Sequence, residues 1–219
     1  MSETFVECRN LGRTYQRRTT AIVALAGVTV TVQAGDRIAV VGPSGGGKST
    51  LLQLMGALDL PTEGDITWPA LGPRESLRPR HIGYVFQTQS LLPPLTVVEN
   101  VELPLILVGE HADLARDRAL DVLRELDLVG IAEKLPEELS GGQAQRVAVA
   151  RAFVGHPQLI LADEPTGQLD HPTAQHLFDV LLASLAGRET ALVVATHDLL
   201  IAERLPVQWH LAHGHLEVV

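Results

Sequence analysis

The sequence predicts an α/β fold: a mostly parallel sheet, an antiparallel N-terminal edge sheet and a helical insertion. Three observations predict it. The apolar run Ile38-Ala39-Val40-Val41 leads through a glycine-rich turn into Leu51-Leu52-Gln53-Leu54-Met55. Two further apolar runs, 159–162 and 191–195, stop at Asp163-Glu164 and Thr196-His197-Asp198. Segments of helical spacing separate them, and strands alternating with helices build parallel sheets.

In chain order, residues 4–9 and 21–32 read as strands, joined by the polar loop Arg13-Thr14-Tyr15-Gln16-Arg17-Arg18. Ala34-Gly35-Asp36 turns into the strand at 38–41. The helix after the glycine-rich turn ends near Gly56, before turn chemistry at 59–64. Residues 65–81, with Pro69, Pro73 and Pro79, read as loop with short edge strands. A strand follows at 82–86, then Gln87-Thr88-Gln89-Ser90 and a Pro93-Pro94 break. Thr96 and Glu99 have capping-box spacing and start a helix. Ala115, Ala119, Val122, Leu123 and Leu126 share one face of the next. Ser140 caps a helix closed by Gly155-His156-Pro157. Pro172 marks a first helical position ahead of Leu177, Phe178, Leu181, Leu182 and Leu185. Residues 207–211 and 216–219 around Gly214 read as a hairpin. His210, His213 and His215 lie there without a cysteine or acidic cluster, so a solvated hairpin is the simpler reading than a metal site.

Composition bounds the function. The 219 residues suffice for a large core and are read as one domain, 1–219, with a helical subdomain at about 88–157. Acidic residues number 26 against 17 Lys and Arg, with no basic stripe, so nucleic acid is not an expected partner. The single cysteine, Cys8, rules out an intrachain disulfide and fits a reducing compartment. The N-terminus lacks a basic, then apolar, leader pattern. No apolar run reaches the ~18 residues of a membrane span. The chain is expected to be soluble by itself, with any membrane role supplied by a partner.

The chemistry is concentrated in four stretches. Gly42-Pro43-Ser44-Gly45-Gly46-Gly47-Lys48-Ser49-Thr50 fits the phosphate-binding pattern G-x4-G-K-[ST] in its strand-to-helix context. Glycines let successive N–H groups turn toward phosphate, and the helix adds the positive end of its dipole. Lys48 reaches the β- and γ-phosphates and Ser49 a Mg²⁺ ion. Asp163, at a strand end, is placed to hold the same ion, and Glu164 to serve the attacking water. His197, also at a strand end, is a candidate γ-phosphate contact. Ser140-Gly141-Gly142-Gln143 opens a helix and forms a second anion site.

With these in order, the chain resembles the ATP-binding subunits of ATP-binding-cassette (ABC) transporters over nearly its whole length. The matching stretches are the Walker A loop at 42–50, the signature Leu-Ser-Gly-Gly-Gln at 139–143 with Arg146, the Walker B segment at 159–164, and His197. Gln87 matches the Q-loop glutamine, Asp170 the D-loop aspartate and Tyr15 the aromatic that stacks on adenine. The resemblance implies ATP and Mg²⁺ as cofactors, with Ser49, Gln87 and Asp163 toward the metal. It implies Glu164 as general base or water-orienting group, with Lys48, Gln87 and His197 completing the catalytic set. It further implies head-to-tail pairing with a second ATPase subunit, so that each signature closes the other's Walker A site. Integral-membrane permease subunits would hold the pair at the cytoplasmic face of the membrane.

Residues 165–170 and 92–101 resemble the lipoprotein-releasing and macrolide-exporter branch; the alternative is a regulatory ABC ATPase of the cell-division type that moves no substrate. Gly46, Ala144 and Gln168 depart from the usual serine, glutamine and asparagine without removing a chemical group from the site. Gly46 is expected to add backbone freedom. The 65–81 segment is shorter than usual, which suggests a trimmed edge sheet.

Overall fold

A computed structural model describes residues 2–17, 20–88, 90–167 and 169–218. Gln89, two residues past Gln87, and the departure at Gln168 lie outside the described residues. The elements are β1 (Thr4–Arg17), β2 (Thr20–Gln33), β3 (Arg37–Val41), α1 (Lys48–Met55), β4 (Glu63–Thr67), β5 (Ile82–Val85), α2 (Val97–Leu107) and α3 (Ala112–Glu125), followed by α4 (Gly141–Phe153), β6 (Leu159–Asp163), α5 (His171–Ser184), β7 (Ala191–Thr196), α6 (Leu199–Ala202), β8 (Val207–Ala212) and β9 (His215–Val218).

Six strands form the central sheet in the order β5-β6-β7-β3-β8-β9. All neighbours are parallel except the terminal β8–β9 hairpin. The parallel strands are short apolar runs because both faces are covered. Alternate residues point to opposite faces, and each face carries its own core. Ala39, Val41, Ile160, Ala162, Leu192 and Val194 pack with the α2–α5 helices. Ile38, Val40, Leu159, Leu161 and Val193 pack with α1 and the three-stranded sheet β2-β1-β4.

That N-terminal sheet corrects the sequence expectation. The polar loop expected at 13–18 is strand through Arg17, with Tyr15 paired to Ile22 and Arg17 to Thr20. The residues look loop-like because their polar side chains bond one another instead of entering the core. Arg13 makes a two-pronged pair with Asp59, and its guanidinium lies 4.5 Å from the Tyr15 ring centre. The third strand, β4, begins at Glu63, inside the expected turn. Gly64 permits this: at φ 70° it lies so close to β1 that an added Cβ would stand 2.2 Å from the Asn10 carbonyl oxygen.

The helical segment follows the expected caps. Thr96 and Glu99 bond reciprocally at the start of α2. Ala115, Ala119 and Leu123 of α3 are buried, while Val122 packs at the margin of the same core. Pro172 is the second helical residue of α5, not the first, because Asp170 is the cap: its carboxylate accepts from the Thr173 N–H at 2.9 Å.

Candidate nucleotide site

The site collects at the C-terminal edge of the central sheet. Leaving β3, the chain forms the glycine loop and re-enters helix at Lys48. The N-cap of α1 is Gly47 at φ 108°, so no side chain caps the helix. The donors at this end stay available to a ligand. Lys48 folds back over the loop: its Nζ donates to the carbonyls of Gly42 (2.8 Å) and Pro43 (3.2 Å).

The same ammonium lies 4.0 Å from Glu164 Oε1, and both groups are buried. Glu164 follows β6 at φ 50°, a backbone region that non-glycine residues seldom occupy and that costs on the order of 1 kcal/mol. The turn is held by its N–H donating to the Ala195 carbonyl (2.9 Å) and its carbonyl accepting from the Gly167 N–H (3.1 Å). Its other carboxylate oxygen lies 2.8 Å from His197 Nδ1. His197 therefore sits on the carboxylate, with its ring otherwise open to solvent.

Asp163 closes β6 and is 4% exposed. Burial raises its pKa, and the Ser49 hydroxyl pulls it partly back down. Its Oδ1 is buried with no hydrogen-bond partner. An orphaned carboxylate oxygen, on a carboxylate beside a hydroxyl, is a donor set for a hard cation. Without the cation, Asp163 costs stability. Below its ordinary pKa of 3.8 the folded and unfolded chains both hold the proton, and the cost is absent. It grows as pH rises from that value to the raised folded-state value and stays in full above it. Asp163→Asn is therefore expected to raise the nucleotide-free melting temperature at pH 7 by roughly 2–4 °C, about 1 kcal/mol in a chain of this size. Calorimetry from pH 7 downward should show that gain shrinking, while metal-dependent ATPase activity is lost at every pH.

The remaining predicted residues are Tyr15, Gln87, Asp170 and the signature stretch at 139–143. Tyr15 Oη donates to Asp59 Oδ2 at 2.8 Å, and Arg13 covers one face of the ring, so one face is left for a base. The Asp59 partnership was not legible beforehand, since 44 residues separate the two. Gln87 is exposed on the bend after β5, and no hydrogen bond joins it to Ser49, Asp163 or Glu164 among the described residues. At the start of α4, Ser140 Oγ accepts from the Gln143 N–H and Gln143 Oε1 accepts from the Ser140 N–H. Gly142 packs so closely on Leu169 that an added Cβ would stand 3.0 Å from its Cδ2. The signature segment and the turn before Asp170 thus form one continuous surface.

A cleft of about 320 Å³ opens beyond the end of β5, lined by Tyr84, Phe86, Leu103, Leu107, Arg78 and Arg151 among others. Arg151 is held there by the Ser90 carbonyl and hydroxyl, and burial lowers its pKa.

The family model described as "ABC transporter" matches residues 25–167, more than half the chain. The chain belongs to the ABC transporter family. The cassette is 42% identical to the lipoprotein-releasing system ATP-binding protein LolD of Pseudomonas fluorescens, with all of both chains covered. It is 43% identical to the LolD of Legionella pneumophila strain Paris, covering 99% of this chain and 98% of that one. Among solved structures it is similar to the dimeric post-hydrolysis state of the ATP-binding cassette MJ0796 bound to ADP and Pi, with TM-score 0.90, 36% identity, and 97% and 98% of the two chains covered. A second dimeric structure of MJ0796 matches with TM-score 0.89 at 37% identity. The cassette is an ATP-binding, ATP-hydrolysing domain on a mostly parallel α/β sheet with an antiparallel edge sheet. None of its described helices is long and apolar enough to cross a membrane.

Proposed function

We propose that the cassette is the ATPase subunit of a lipoprotein-releasing ABC complex. It works as a head-to-tail pair bound to permease subunits at the cytoplasmic face of the membrane. The observation that carries this reading is the likeness to lipoprotein-releasing relatives, which spans nearly the whole of both chains.

ATP enters with its phosphates on the glycine loop. Lys48 exchanges the carbonyls of Gly42 and Pro43 for phosphate oxygens, and Tyr15 stacks on adenine through its open face. Ser49 and Asp163 would hold Mg²⁺, which supplies charge neutralisation on the β- and γ-phosphates. Glu164, held by His197, orients the attacking water and takes its proton. Gly141 and Gly142 offer N–H groups at the α4 N-terminus to the γ-phosphate on the second subunit. The helical segment at about 88–157 is the subdomain that carries this surface. The permease seats in the cleft beside Gln87, where the apolar lining suits a buried contact.

The test is reconstitution with candidate permease subunits of the lipoprotein-releasing type. The expected result is copurification, and ATP-dependent release of an acylated lipoprotein from proteoliposomes to a soluble acceptor. Absence of any copurifying membrane protein would remove the permease assignment. Permease-stimulated ATPase activity without release of the acylated protein would favour the regulatory, cell-division type of complex.

A further inference from the structure

The glycine loop does not stand alone. It rests on the C-terminal hairpin formed by β8 and β9, at the far end of the chain and beyond any phosphate motif. Because β8 runs parallel beside β3, with Val41 opposite His210, the next residue of β8 lies directly under the loop. An added Cβ at Gly42 would stand 2.0 Å from the Leu211 carbonyl oxygen, and one at Gly46 would stand 2.9 Å from it. Gly46 is thus a site of close packing, not the gain in backbone freedom expected from the sequence.

The hairpin then turns through His213 (φ 52°) and Gly214 (φ 80°). Two successive left-handed residues make a primed two-residue turn, the geometry that matches strand twist. Its tip has two backbone partners outside the hairpin. The Gly214 N–H donates to the Gly46 carbonyl at 3.2 Å, and the Gly214 carbonyl accepts from the Ala26 N–H at 2.9 Å. The carbonyl of Ala24 fills the remaining space, 2.4 Å from where a Gly47 Cβ would be and 3.1 Å from a Gly214 Cβ. Glycine loop, β2 and hairpin tip therefore meet backbone to backbone.

A trans peptide points its C=O and the following N–H in opposite directions. Drawing the Gly46 carbonyl onto the hairpin turns the Gly47 N–H away from it. We infer that Gly214 is a positioning residue for ATP binding: its N–H fixes the Gly46–Gly47 peptide with the Gly47 N–H presented to the phosphates. The inference rests on the glycine loop being the phosphate site and adds a residue that no phosphate touches.

The experiment measures equilibrium binding of a fluorescent ATP analogue to the full chain, beside its melting temperature. Gly214→Ala strains a left-handed position and crowds Ala24. Gly187→Ala is the matched control, because Gly187 is also left-handed (φ 72°) but has nothing within 4 Å. Both variants should melt lower, and only Gly214→Ala should bind the nucleotide at least about fivefold more weakly, the effect of one net hydrogen bond. A semisynthetic chain with glycolate in place of Gly214 removes the single N–H and keeps every side chain; the same loss is expected there. This variant decides the matter if Gly214→Ala does not fold. Wild-type affinity in the folded ester chain overturns the inference. Weak binding by Lys48→Ala in parallel would show that the phosphate site itself still stands in that event.

Discussion

Glu164→Gln is expected to cut ATP turnover by about 10²–10⁴-fold, the usual contribution of a positioned general base, with nucleotide affinity retained. Glutamine has the shape of glutamate, so the turn at φ 50° and the close packing around it survive. Its amide cannot accept the proton of the attacking water, and it places no negative charge 4.0 Å from Lys48 Nζ. Loss of that charge leaves the ammonium freer to serve the phosphates. The variant should therefore hold ATP without consuming it and accumulate as the ATP-bound pair. Size-exclusion chromatography with ATP, read beside single-turnover hydrolysis, checks both halves. A variant that turns over at the wild-type rate would take the general-base role away from Glu164.

Lys48→Ala should fail at an earlier step. The ammonium makes two charge-assisted bonds to the loop's own carbonyls, and under the proposed function it exchanges them for phosphate oxygens. Removing it deletes a buried positive charge facing a highly anionic ligand. A weakening of ATP binding by about 10–100-fold is expected from one to two charged hydrogen bonds at ~1.5–3 kcal/mol for the set. Titration calorimetry of the isolated chain is the measurement, and unchanged affinity would defeat the glycine-loop assignment. The two variants are expected to separate binding, lost at Lys48, from turnover, lost at Glu164.

Legibility in the sequence followed the range of the interaction. The strand–glycine loop–helix unit was readable because its signals are consecutive: an apolar run, glycines at 42 and 47, and a lysine at the helix start. The caps at Thr96 and Ser140 were readable for the same reason, each resting on a partner three residues away. The N-terminal sheet was only half visible. Arg13, Tyr15 and Gln16 carry no apolar alternation, and backbone pairing with β2 makes them strand regardless. The contact between Glu164 and His197 was hidden altogether, since it exists because β6 and β7 are parallel neighbours that set Asp163 opposite Ala195. The support of the glycine loop by the hairpin left a single mark, the glycine at 214.

The reciprocal cap between Ser140 and Gln143 bears on the kinetics of pairing. A turn already fixed by bonds within one chain has no ordering left to do when a second chain arrives. Under the two-chain reading the encounter is between preformed surfaces, so the conformational entropy charged to association is small. The rate of pairing then scales with collision and with nucleotide occupancy, and not with a slow rearrangement of the signature segment. For two cassettes held on one permease the encounter lies within a single complex, so closure becomes a first-order event whose speed is set by nucleotide occupancy.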